Sequence, residues 1–147
     1  RFGRNGNKSL AFCSGWKLKK GAMASSAAPD DNNLVVMGVN AEDMSIAVNY
    51  LIEQGGGQVV VADGEILEFL PLPVGGIVSD REPEEIAAHE KLIDQAARSL
   101  GSDLPDPMMY MFFLPITAIP DYALTDVGPV DYCALTTYDP VLELVEE

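Results

Sequence analysis

The stretch from Asn40 to Leu70 constrains the fold more than any other part of the sequence, because it carries the signals of a helix followed by a β-hairpin. Asn40 is suited to cap a helix N-terminus, and the Gly55-Gly56-Gly57 run is suited to end that helix. Residues 58–62 and 65–70 flank Asp63-Gly64, the dipeptide of a type I′ turn, and are predicted to pair. Apolar residues recur at helical spacing on one face of the helix: Met44, Ala47, Val48, Leu51 and Ile52.

A second amphipathic helix is predicted from Pro83 to Gly101, since proline favours the first turn of a helix. Its apolar face comprises Ile86, Ile93, Ala97 and Leu100. The unbroken apolar run 108–114 predicts a central strand, and shorter apolar segments predict strands at 10–13, 22–28, 34–39 (buried), 122–125 and 130–135. Because these strands are spaced as in hairpins, the sequence predicts an α+β fold: a mixed, mostly antiparallel sheet with two amphipathic helices packed on one of its faces.

The length and the histidine content limit what the chain can do alone. Its 147 residues suffice for a single domain, residues 1–147, and are too few for a complete (β/α)8 barrel of roughly 200–250 residues. His89 is the only histidine, which excludes a metal site built on several imidazoles, and its place beside the apolar helix face is typical of a hydrogen-bonded boundary residue. Cys13 and Cys133 have neither zinc-site nor disulfide spacing, so we expect no cofactor in this chain and a reducing, cytoplasmic setting.

Charge is distributed unevenly along the chain. The formal net charge is −14, yet residues 1–29 hold six of the nine basic residues and no acidic residue. Such an acidic body repels nucleic acid and anionic membranes, so neither is expected as a partner. We interpret the basic start as attracted to the acidic body, within one fold or between protomers; an anion-binding arm is the alternative. No apolar run reaches the roughly 18 residues of a membrane helix, and no signal peptide is recognisable. Because the sequence begins at Arg1, we expect a piece of a longer protein.

The stretch 25–33 is the candidate binding segment, because loops at strand ends often carry binding groups. Six polar residues fall within it and form the candidate substrate loop: Ser25, Ser26, Asp30, Asp31, Asn32 and Asn33. A solvated turn explains the same composition. No residue is assigned a catalytic or metal-binding role, since the sequence holds no nucleophile elbow and no imidazole base beside a cysteine. Gly55-Gly56-Gly57 closes a helix and is therefore interpreted as a cap and not as a phosphate-binding loop.

Ordered blocks along nearly the whole chain carry a further signal: Lys17–Ser26, Asn33–Met44, Gly55–Val61, Leu70–Pro73 and Leu124–Asp131. Together they resemble the C-terminal domain of bacterial adenine deaminases of the amidohydrolase superfamily. The resemblance implies hydrolysis of the adenine 6-amino group to give hypoxanthine and ammonia, with a divalent transition-metal centre held by an N-terminal barrel domain that this chain lacks. In the family the loop after the serine pair carries two histidines, where this sequence has Pro29 and Asn32; Asp30 and Asn33 match the family pattern.

The leading hypothesis is a domain that packs on a metal-bearing barrel, in cis or in trans, with the 25–33 loop near the mouth of its site, and that is not catalytic alone. A stand-alone oligomerisation module that uses its charge asymmetry for self-association is one alternative. A sensor that keeps a pocket for a purine ligand is another.

Overall fold

The computed structural model describes residues 6–29 and 32–138. A four-stranded antiparallel sheet has the order β2-β1-β3-β4, with β1 at Ala22–Ser25, β2 at Val35–Gly38, β3 at Gly57–Ala62 and β4 at Glu65–Pro71. The predicted hairpin is confirmed: β3 and β4 meet at Asp63 and Gly64, whose φ angles of 56° and 83° are both positive, as a type I′ turn requires. The fold is α+β, as expected.

The two long helices lie on opposite faces of this sheet, so the expectation that both cover one face is wrong. Helix α1 (Ala41–Gln54) packs Ala47 and Leu51 against Val59 and Val61. Helix α2 (Pro83–Ser99) packs against the other face, in a second buried cluster: Met23, Val60, Ala62, Leu70, Ile93, Ala97 and Leu100. The cause is the alternation of side chains along β1 and β3, which leaves both faces apolar and in need of a cover.

The predicted central strand at 108–114 is a short helix, α3 (Pro107–Phe112). Asp106 Oδ1 accepts a hydrogen bond from Met109 N at 2.9 Å, and Pro107 occupies the first turn, so capping decides the local structure. Met108 and Met111 are buried, whereas Met109 is 47% exposed, which is a helical pattern of burial. The apolar residues of this run therefore lie on the buried side of α3 and also on its exposed side.

Several strand predictions need correction at their ends. Residues 10–13 form no strand, and Phe12 is 92% exposed. The strand predicted at 22–28 stops at Ser25, and the one predicted at 34–39 is a half-buried edge strand. A second, three-stranded sheet holds β5 (Tyr122–Thr125, as predicted), β6 (Gly128–Asp131) and β7 (Thr136–Thr137). The strand predicted at 130–135 ends early because Asp131 Oδ1 accepts from Ala134 N and forms a turn.

The segment 6–20 runs along the α2 and α3 side of the molecule. Trp16 Nε1 donates to Pro107 O at 3.2 Å, and Ser9 Oγ donates to Thr125 O. Two of its lysines form exposed ion pairs with the acidic body, Lys17–Asp103 at 2.6 Å and Lys20–Asp63 at 2.9 Å. These contacts agree with attraction between the basic start and the acidic body within one fold, although exposed ion pairs contribute little to stability.

Candidate functional site

Ser25 and Ser26, the first two residues of the candidate loop, are buried where β1 ends. Ser25 Oγ accepts from Ala27 N and donates to Ala27 O, both at 3.1 Å, so its hydroxyl closes a local turn. This turn leads the chain out of the sheet. The polar groups of Ser25 are therefore used within the loop itself.

Ser26 joins three segments that are distant in sequence. Its Oγ accepts from Gly57 N at 2.8 Å and donates to Gly76 O at 2.6 Å, and its own N–H donates to Gly57 O at 3.0 Å. Gly56 allows this approach, because a Cβ at that position would lie 2.3 Å from the Gly76 Cα. We call this arrangement of Ser26, Gly56, Gly57 and Gly76 the serine clamp. It fixes the end of β1, the start of β3 and the segment after β4 to one another.

The remaining candidate residues lie further along the loop. Asn32 and Asn33 are half-buried, and Asn32 has a φ of +50° with its N–H donating to Ala28 O at 2.6 Å. Asp30 and Asp31 lie outside the described residues. The structure thus brings Ser26 against Gly57 and Gly76 and leaves Asn32 and Asn33 partly accessible. That these six residues form a substrate loop stays a prediction.

The segment held by the serine clamp is a compact turn, residues 74–78, whose exposed side chains are all apolar. Val74 N donates to Val78 O at 3.0 Å, and Ile77 N and Val78 N both donate to Val74 O, at 3.2 and 3.1 Å. Val74, Ile77 and Val78 are 53%, 42% and 54% exposed, whereas Gly76 is buried at the clamp. The turn is therefore held by its own backbone hydrogen bonds and by the serine clamp, while its apolar side chains are exposed.

A cleft of about 490 Å³ opens beside this turn. Ala27 connects the cleft to the candidate loop, and Phe112 of α3 also lines the cleft. Its polar lining consists of Gln58, Ser79, Arg81 and Glu90, and the apolar lining includes Leu70, Leu72, Ile77, Val78 and Ile86. A mostly apolar cleft with a few polar groups can hold an organic ligand or another protein segment. Sequence reasoning missed it, although the Gly75-Gly76 pair between apolar residues was a turn signal.

A smaller cavity of about 60 Å³ shares Gln58, Glu90 and Phe112 with the cleft and is also lined by Asp94 and Asp106. Burial, and then the neighbouring Asp106 carboxylate, raise the pKa of Asp94, which Arg98 only partly offsets. Asp94 Oδ1 is buried without a hydrogen-bond partner among the described residues. This corner of the cleft is acidic and has an unused acceptor.

His89 forms a side-chain hydrogen bond outside the cleft, as expected for a boundary residue. Its Nε2 donates to Glu68 Oε1 at 2.9 Å across α2 and β4. Within residues 6–29 and 32–138, no three histidine, cysteine, aspartate or glutamate side chains are arranged to hold a metal ion. Cys13 and Cys133 are exposed free thiols. No helix in the part of the chain that the structure describes is long and apolar enough to cross a membrane.

Comparison with known proteins identifies the family. The family model described as adenine deaminase C-terminal domain matches residues 1–135. The chain is 82% identical over 144 residues to adenine deaminase 1 of Desulfotalea psychrophila and 65% identical over 144 residues to adenine deaminase 1 of Latilactobacillus sakei. Both alignments cover 98% of this chain and 24% of the relative, so the chain spans about a quarter of the length of these relatives. The match across nearly the whole chain shows that it belongs to the adenine deaminase C-terminal domain family.

Proposed function

We propose that residues 1–147 are one domain, the C-terminal domain of an enzyme that hydrolyses adenine to hypoxanthine and ammonia. The observation that supports this most directly is the 82% identity over 98% of the chain to a protein named adenine deaminase 1, of which the chain spans 24%. A relative four times as long leaves ample chain for a separate catalytic domain. A stand-alone module is not favoured, because the relatives hold this domain in a longer polypeptide.

The metal chemistry of such an enzyme belongs to the remainder of the polypeptide. The described residues do not fit a metal centre, since they contain no suitable group of three ligands and the one histidine is bonded to Glu68. The proposed partner is therefore a metal-bearing barrel domain in cis. What this chain contributes is a rigid support for a polar loop.

The 25–33 loop is proposed to lie at the mouth of the site in the complete enzyme. Ser25 and Ser26 hold the start of this loop by the hydrogen bonds described above. Asp30, Asp31, Asn32 and Asn33 then supply carboxylate and amide groups, which can bond the ring nitrogens and amino group of a purine. The Ser26 hydroxyl supports that loop indirectly, because it bonds the backbone of Gly57 and Gly76.

The complete enzyme and the isolated chain test this function together. Ammonia release from adenine is measured for the full polypeptide that ends in this domain and for residues 1–147 alone. We expect turnover by the first and none by the second. Turnover by the isolated chain, or a full polypeptide that releases no ammonia from adenine, would contradict the proposal.

A loop variant tests the position of the loop. Asp30→Asn in the complete enzyme removes one charge from the proposed site mouth, and we expect KM for adenine to rise several-fold with the fold intact. Asp121→Asn is the matched control, since Asp121 is an exposed aspartate next to β5, outside the loop and the cleft. Equal KM values for both variants would refute the placement.

A further inference from the structure

We propose that the turn 74–78 and the adjoining side of α3 form the surface on which the remainder of the deaminase polypeptide packs. We call this surface the docking face and define it by Val74, Ile77, Val78, Met109 and Phe112. The inference rests on the proposed function, because the occupant is the metal-bearing part of the same enzyme. The new element of the inference is the surface of this domain against which that part packs.

The docking face combines four exposed side chains with Phe112, which is half-buried and lines both the cleft and the smaller cavity. Ile77, Val78 and Phe112 line the same cleft, and Phe112 and Met109 line the smaller cavity beside it. Val74 joins this surface through its backbone hydrogen bonds with Val78. Contiguous exposed apolar residues next to a cleft are typical of interaction sites, whereas scattered ones need no explanation.

The turn is held in place before any partner binds. Internal hydrogen bonds close it, and the Ser26 hydroxyl bonds Gly76 O at 2.6 Å from beneath. A surface that is already ordered loses little conformational entropy on association, which favours tight packing. Burying Val74, Ile77 and Val78, each at least 42% exposed, would then contribute apolar area without a folding cost.

The path of the chain indicates the occupant. The family description makes this a C-terminal domain, so in the relatives the other three quarters of the polypeptide precede it. That remainder connects through the segment 6–20, which passes beside α3, where Trp16 donates to Pro107 O. The segment 6–20 thereby tethers the remainder to this domain at a high effective concentration, and it passes the start of α3, the helix that contributes Met109 and Phe112 to the docking face.

The charges around the docking face disfavour a second copy as occupant. Glu90, Asp94 and Asp106 border it, and among the described residues Arg81 is the one base that lines the cleft. A two-fold contact would bring identical acidic borders together, and like charges at an interface are unfavourable. A different partner surface can supply bases opposite these carboxylates and a donor for the buried Asp94 Oδ1.

The test uses the complete enzyme and measures how fast a protease separates this domain from the rest. Ile77→Asp places a charge in the docking face, and we expect release on the order of tenfold faster, since cleavage follows the population of the undocked state. Leu67→Asp is the matched control: Leu67 is 43% exposed against 42% for Ile77, and it lies at the β4 irregularity outside the docking face. We expect its release rate to equal that of the wild type.

A milder variant and an exchange measurement separate undocking from unfolding. Val78→Ser keeps the backbone and removes apolar area from a residue that is 54% exposed, and we expect a release several-fold faster than that of the wild type. Amide exchange at the buried Val60 must stay unchanged in these variants. Equal release for Ile77→Asp, Val78→Ser and Leu67→Asp would overturn the docking face, as would a change confined to self-association in sedimentation.

Failure of this inference differs from failure of the proposed function. A wild-type enzyme that releases ammonia from adenine, with equal domain release in all variants, overturns the docking face alone. A wild-type enzyme without that activity, in which Ile77→Asp still accelerates release, overturns the deaminase function and supports the docking face.

Discussion

Replacing Ser26 by alanine tests whether the serine clamp holds the loops together. The hydroxyl accepts from Gly57 N at 2.8 Å and donates to Gly76 O at 2.6 Å, and Ser26 is only 1% exposed. Alanine leaves both backbone groups buried without this partner. Each of the two lost bonds to a buried group costs about 1–3 kcal/mol, so the free energy of unfolding is expected to fall by about 2–6 kcal/mol.

Ser25→Ala is the matched control. Ser25 is as buried as Ser26, but its hydroxyl bonds only the N–H and C=O of Ala27, two residues along the chain. Ala27 is half-buried, so water can replace part of what is lost. We expect a loss of about 0.5–1.5 kcal/mol, clearly smaller than for Ser26→Ala.

Urea unfolding of the chain measures both losses, and native-state hydrogen exchange locates them. In Ser26→Ala the amides of Ile77 and Val78 should exchange faster, because the turn loses its anchor at Gly76, while Ser25→Ala should leave them protected. A Ser26→Ala chain as stable as Ser25→Ala, with the turn still protected, would refute the clamp.

Three further substitutions test the fold. Asp43→Ala removes a carboxylate that accepts from Asn40 Nδ2 at 2.8 Å and Gly64 N at 2.9 Å, and should cost about 2–3 kcal/mol at pH 7. The hydrogen bond from Asn40, followed by the one from Gly64, lowers the pKa of Asp43. The stability that this carboxylate contributes is therefore fully present above its unfolded-state pKa and is lost as the pH falls through its folded-state pKa. Urea unfolding at pH 7 and at about pH 3 measures the difference. Asp94→Asn should instead raise stability at pH 7 by a few tenths of a kcal/mol, because burial raises the pKa of Asp94 and penalises its charged form. That gain should vanish in thermal unfolding below about pH 3, where the carboxyl is protonated in both states. Met111→Ala, at a fully buried position of α3, should cost about 2–5 kcal/mol by urea unfolding.

The parts of the fold that the sequence predicts well depend on short-range signals. Asn40 caps α1 by accepting from Asp43 N at 2.8 Å, and Gly55 ends it with a φ of 78°. Asp63 and Gly64 similarly form the predicted turn. In each case the deciding interaction joins residues within a few positions of each other, so the residue types alone determine the outcome.

The incorrect predictions arise where local signals compete or where packing between residues distant in sequence determines the structure. The apolar run 108–114 has the composition of a strand, but the Asp106 cap and Pro107 favour a helix. The face of the sheet that each helix covers depends on how the chain crosses between layers, which residue spacing does not encode. Val59 and Val60 point to opposite faces, and both faces are equally apolar.

Residue types identify the candidate loop, whereas the hydrogen bonds that anchor it are not predictable from the sequence. Ser26 and Gly76 are 50 residues apart in sequence, and nothing in either neighbourhood identifies the other as a partner. The polar composition of residues 25–33 indicates a candidate substrate loop or a solvated turn, and it does not show which side chains bond the backbone. In the structure the hydroxyls of both serines bond backbone groups.

The two departures from the family pattern within this loop differ in kind. Asn32 has a φ of +50°, and asparagine and histidine are both among the side chains that tolerate this conformation. Asparagine therefore suits the turn closed by the Asn32 N–H on Ala28 O, while it offers an amide instead of an imidazole. Pro29 fixes its own φ and carries no polar side-chain atom. Neither position therefore holds a side chain whose ordinary pKa lies near 7.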